Sequence, residues 1–206
     1  TALILRRMSQ PSDIVAHGPR EAGYALTNII GMTNANLRPL TLKRSLKQRA
    51  SGRLKQLEVI VRRLLTLMAL ALTLAPVRPR INPAPDPTEA GVETVSFPTP
   101  RRFGLTAPYP GSVRALSGLN SCMSYGPVPA APVLARISAL HAVLENPGVY
   151  AKRLARSLER QRKRGEPRPA VLPMASAYRL RPELGMIATA LPGLLGAALE
   201  NRDNSS

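Results

Sequence analysis

Leu64-Leu65-Thr66-Leu67-Met68-Ala69-Leu70-Ala71-Leu72-Thr73-Leu74-Ala75 is an uncharged run of twelve residues closed by Pro76. Apolar on every side and rich in strong helix formers, it predicts a helix buried on all faces. Pro76 ends it, because proline lacks the amide donor and disfavours helix at the residue before it. Upstream lie Val59-Ile60-Val61 and then a clear stripe, Leu42, Leu46, Ala50, Leu54 and Leu57, at three- and four-residue intervals. Together these predict one long element over residues 41–75, with Thr41 as its N-cap. Ser51-Gly52 interrupts the stripe, which fits one bent helix or two abutting ones.

The environment of that helix is the first functional question. Twelve residues make about 18 Å of helix, short of the roughly 30 Å of a hydrocarbon core. Extending the span to residues 57–75 supplies the length but encloses Glu58, Arg62 and Arg63. A buried helix of a soluble protein is the favoured reading. The alternatives are a membrane contact by 57–75, with the arginines at the headgroups, and an apolar face open to a protein partner. Ala69-Leu70-Ala71 resembles a signal-peptidase site, but more than fifty residues precede it.

Outward from this element the chain divides by charge and proline. Residues 1–75 hold 12 Lys/Arg and three acids. Residues 76–132 hold only five Lys/Arg and three acids but 12 of the 21 prolines, whereas residues 133–206 hold 12 Lys/Arg and six acids. Residues 1–40, punctuated by Pro11, Gly18-Pro19, Gly23 and Pro39, read as weakly structured. Residues 76–131 read as an extended Pro/Gly-rich connector with at most short strands, Val92 to Phe97 being one candidate. Within 132–200, Pro132 opens a helix carrying Val133, Ile137, Leu140 and Leu144. Asn146-Pro147-Gly148 stops that helix and caps the next, which ends at Gly165. A third helix from Pro182-Glu183 carries Leu184, Ile187, Leu191, Leu194, Leu195 and Leu199, with a kink or break at Pro192-Gly193. Residues 201–206 read as a mobile tail. The expected fold is mainly α: an N-terminal long helix, then a C-terminal helical hairpin plus a kinked helix, joined by the Pro-rich connector.

Composition narrows the chemistry. The formal charge is +17 across 206 residues, from 29 Lys+Arg against 12 Asp+Glu, while aromatics are 3% and Trp is absent. One cysteine, Cys122, excludes an internal disulfide, and with only His17 and His141 beside it no metal-ligand cluster is legible. The chain lacks a Gly-rich phosphate loop and a nucleophile elbow. The pair His141 and Glu145, one helical turn apart, reads as a surface pair rather than a catalytic dyad. No catalytic residue, cofactor or metal is expected.

One constellation has physical content. On a helix from Pro147 to Arg164, rotation by 100° per residue places Lys152, Arg153, Arg156, Arg160, Lys163 and Arg164 within about 120°. Tyr150, Leu154 and Leu158 fall on an adjoining face, and only Arg162 leaves the basic stripe. Six like charges on one side repel one another, so a negative counter-surface stabilises them. The expected function is that of a non-enzymatic, cytoplasmic, basic interaction protein. Its anionic partner would be a nucleic acid held by phosphate contacts without base specificity. Membrane association and a ligand-free structural domain are the alternatives.

Overall fold

Gly18 and Leu64 meet where the first two helices cross, and that meeting sets the arrangement of the rest. A computed structural model describes residues 11–73, 103–105, 126–166, 171 and 180–204. Among these residues, five helices carry the fold: α1 (Pro11–Thr33), α2 (Arg44–Leu70), α3 (Ala131–Glu145), α4 (Pro147–Lys163) and α5 (Pro182–Asn204). A short 3-10 turn, Ala35–Leu37, follows α1. Two dipeptide strands, β1 (Thr41–Leu42) and β2 (Val128–Pro129), pair antiparallel with Thr41 opposite Pro129 and Leu42 opposite Val128. The protein is mainly α.

Residues 1–40, expected to be weakly structured, contain a helix of 23 residues from Pro11 to Thr33. Pro11 takes the first helical position and Asp13 lies in the first turn, both favourable at a helix start. Ile14, Gly18, Ala22, Leu26, Ile29 and Thr33 are buried, a stripe at intervals of four and three residues. Two of its members are too small to register as a hydrophobic signal, which is why the pattern escapes a reading by periodicity. Gly18 has a packing reason: a Cβ there would stand 2.5 and 2.9 Å from the two Leu64 methyl carbons. Close packing on α2 therefore overrides the local cost of Gly18-Pro19 within the helix. Arg53 reaches the Met32 sulfur at 3.8 Å. With residue 18 beside 64 and 32 beside 53, α1 and α2 run antiparallel.

The long second element is one continuous helix of 27 residues, about 40 Å long, so Ser51-Gly52 does not divide it. Its predicted N-cap is corrected. Thr41 belongs to β1, and the cap position falls to Lys43, which makes no side-chain cap hydrogen bond. The competing interaction is pairing with residues 128–129, reinforced by a bond from the Ala130 amide to the Leu40 carbonyl at 3.0 Å. Ala50, Leu54, Leu57, Ile60, Val61, Leu64, Leu65, Leu67 and Ala69 of α2 are buried. All four other helices pack on this one.

Charge enters the interior at one place. Glu58 accepts a hydrogen bond from Arg136 Nε at 2.9 Å and lies 3.7 Å from Arg62. Arg62 also donates to the Gly104 carbonyl at 2.7 Å and sits 5.1 Å from the Phe103 ring centroid. Burial lowers the Arg62 guanidinium below its ordinary pKa; Glu58 opposes that shift and Arg136 adds to it. Burial lowers Arg63 in the same way.

Residues 74–102 and 106–125, including Val92 to Phe97 and Cys122, lie outside the described residues. Helix α5 runs through Pro192-Gly193 without a break, although proline removes one amide bond there. It continues to Asn204, so residues 201–204 are helical rather than part of a mobile tail. The reason is an ion pair: Arg202 reaches Glu159 of α4 at 2.8 Å.

Two tests follow from this packing. Gly18→Ala is expected to lower unfolding free energy by about 1–3 kcal/mol through overpacking against Leu64. Gly52→Ala, where an added Cβ meets nothing within 4 Å, should raise it by about 0.5–1 kcal/mol. Urea titration of both variants reads this opposition in sign. Glu58→Gln leaves two half-buried arginines short of their shared carboxylate, and in the same titration should cost about 2–3 kcal/mol.

Candidate polyanion-binding face

Helix α4 begins directly where α3 stops, with Asn146 serving as the last cap of one and the first cap of the other. The Asn146 side chain makes no cap hydrogen bond; its carbonyl accepts from the Val149 amide at 3.2 Å instead. Pro147 occupies the first turn. The far end is closed as the sequence predicts. Gly165 adopts φ +67°, its amide bonds the Arg162 carbonyl, and the Glu166 amide bonds the Gln161 carbonyl at 3.1 Å. This paired-bond cap requires a left-handed residue, which glycine supplies without a Cβ clash.

Between these caps, the division of faces is sharp. Ala151, Leu154, Ala155 and Leu158 are buried, and α4 makes its most extensive packing with α2. Tyr150 is half-buried, with Arg153 lying 5.5 Å from its ring centroid. Lys152, Arg153, Arg156, Arg160, Lys163 and Arg164 are all exposed, as is Arg162 to one side. The structure thus brings the six predicted residues onto one solvent-facing surface about 18 Å long.

Glu159 is the acid that borders that surface. It is the only acid in α4, and 100° steps place it at the edge of the basic stripe. Its carboxylate is engaged by Arg202 of α5 at 2.8 Å. Glu166, beyond the cap, lies 3.5 Å from Arg164, but both side chains are well exposed and such a pair contributes little. Among the described residues, no carboxylate lies within ion-pairing distance of Lys152, Arg156, Arg160 or Lys163.

No family model, curated protein or solved structure matches this chain.

The remaining candidates are less built. His141 and Glu145 do pair, Nδ1 to Oε1 at 3.3 Å, with both side chains more than half exposed. They border an open groove of about 310 Å³ between α1 and α3, with Arg20 and Tyr24 opposite. Arg20 donates to the Tyr24 hydroxyl at 3.0 Å, which raises the arginine's pKa. His17 is exposed, and no group of three or more His, Cys, Asp or Glu gathers among the described residues.

Helical periodicity also misses a second concentration of cations. From Ala22 through Leu57 there is no acid, against seven Lys/Arg. These residues flank a turn and spread around α2 instead of forming a stripe, so only the lack of acids signals them.

The Gly165 cap sets a prediction. Gly165→Ala is expected to cost about 1 kcal/mol by forcing a side chain into the left-handed region. Thermal unfolding measures the loss, and a matching Gly148→Ala, with nothing within 4 Å of an added Cβ, serves as the control.

Proposed function

We propose that α4 presents a rigid cationic face that binds a polyanion, a nucleic acid, through its phosphates and without base specificity. The supporting observation is the pairing of six exposed cations with an α4 acid already engaged elsewhere. Like charges held together on a fixed helix are relieved by an anionic partner, and counterions released from that partner drive its binding. Asn is absent from α4, and its one Gln lies off the stripe, so the face offers backbone charge contacts rather than base-edge hydrogen bonds. This reading assigns no catalytic step and needs no cofactor.

A membrane reading has one observation of its own. Pro182–Arg202 is long and apolar enough to cross a bilayer, with mean hydropathy 1.3, although a third of that window is buried within the protein. Within the span 57–75, the helical part to Leu70 contributes apolar side chains to the core beneath the other described helices. A partner or a bilayer could reach them only by undocking those helices. The apolar side of α4 is likewise spent on the core, which favours a partner bound by charge alone over insertion of this helix.

Arg153→Gln/Arg156→Gln/Arg160→Gln tests the proposal. Removing three phosphate contacts should reduce the slope of log affinity against log salt by about 2–3 on duplex DNA. Helicity should be unchanged, because all three side chains are exposed. Wild-type binding that ignores salt, or a variant with the wild-type slope, would remove this face from consideration.

A further inference from the structure

The turn between α1 and α2 carries two leucines in water: Leu37 is 81% exposed and Leu40 is 89% exposed. Leucine ranks among the residues most often buried, and here two stand three positions apart. The backbone holds them there. Asn34 and Arg38 adopt φ 49° and 46°, in the left-handed region. Asparagine tolerates that conformation, whereas a long side chain such as that of Arg38 does so at an energetic cost, and such cost concentrates where a segment has a task. The Arg38 amide bonds the Ala35 carbonyl at 3.0 Å, and the Leu40 carbonyl accepts from the Ala130 amide at 3.0 Å. Pro39, with its fixed φ, separates the two bonded residues. The leucines are thus anchored through the main chain while their side chains remain in solvent.

The chain on both sides of the turn is cationic. Because α1 and α2 are antiparallel, the acid-free stretch from Ala22 through Leu57 folds back on itself and occupies one end of the molecule. Arg38, Lys43, Arg49, Arg53 and Lys55 are exposed there. Residues 126–135, which bring β2 and the start of α3 to the same end, carry no charge. Glu58, the next acid along α2, is occupied by Arg136 and Arg62.

We infer that this turn docks the protein on an anionic phospholipid surface, with Leu37 and Leu40 entering the headgroup–acyl boundary and the surrounding cations meeting lipid phosphates and carboxylates. Charge complementarity selects an acidic surface, and the paired leucines select one that also offers hydrocarbon. Neither leucine is needed for the core, so docking requires no helix to leave its place. The inference is independent of α4, since it uses none of that helix's residues.

Sedimentation of the full chain with vesicles tests it. Binding is expected to vesicles of phosphatidylcholine with about one-third phosphatidylserine, and not to phosphatidylcholine alone. Leu37→Ser/Leu40→Ser should lower partitioning at least about tenfold, with an unchanged melting temperature because both side chains are exposed. Arg38→Gln/Arg49→Gln/Arg53→Gln should lower it about 10²-fold. Equal binding to neutral vesicles, or wild-type partitioning by the leucine variant, overturns the inference. So does loss of vesicle binding only on substitution of Arg153, Arg156 and Arg160, which transfers the membrane contact to α4. A leucine variant that loses duplex DNA while keeping vesicles assigns the turn to nucleic acid instead.

Discussion

The close approach of α1 to α2 at Gly18 and Leu64 governs the rest of the structure. It places two long helices antiparallel and gives α2 a partner along most of its length. The other elements then fill the sides of α2 that remain: α4 and α5 pack on it directly, while α3 lies chiefly against α1. A central helix with apolar residues on several faces can be satisfied in water only by such encirclement. Twelve uncharged residues that resemble part of a membrane span are, in this setting, the innermost part of a helical core as far as Leu70. The same encirclement makes the half-buried arginines tolerable, since Glu58 is placed to serve both Arg62 and Arg136.

What the sequence disclosed follows the size of the side chains and the range of the interactions. Helix α2, the start of α5 and both ends of α4 are legible because large apolar residues recur at helical spacing and proline or glycine marks the boundaries. The basic stripe is legible for the same reason, as charge at 100° steps needs no tertiary knowledge. Helix α1 was hidden because its contact face contains Gly18 and Ala22, residues chosen for closeness rather than hydrophobicity, and because Gly18-Pro19 reads locally as a break. Thr41 has the chemistry of a cap, but pairing with residues nearly ninety positions away claims it for a strand. Residues 201–204 look like a solvated end until Glu159 is known to lie within reach of Arg202. In each case a long-range contact outweighs a local preference.

The two basic regions differ in how their charge is organised. On α4 it is a stripe beside a buried apolar face, held by a glycine cap at one end and a proline start at the other. Around the α1–α2 turn it is diffuse, arising from the lack of acids over a stretch of chain that doubles back. A stripe suits a linear array of phosphates, whereas a diffuse field around protruding leucines suits an extended surface. Among the described residues, positive charge is therefore spread over at least two surfaces with separate geometries.

The contact between Glu159 and Arg202 carries a further implication. Glu159 borders the cationic stripe and is the one group on α4 able to act as a built-in competitor for an incoming anion. Arg202 restrains that competitor from the last turn of α5, far away in sequence. Fraying of that turn by heat would free the carboxylate to lean across its own helix and pair with a neighbouring guanidinium group. The last turn of α5 thereby acts as a latch on the electrostatics of a neighbouring surface.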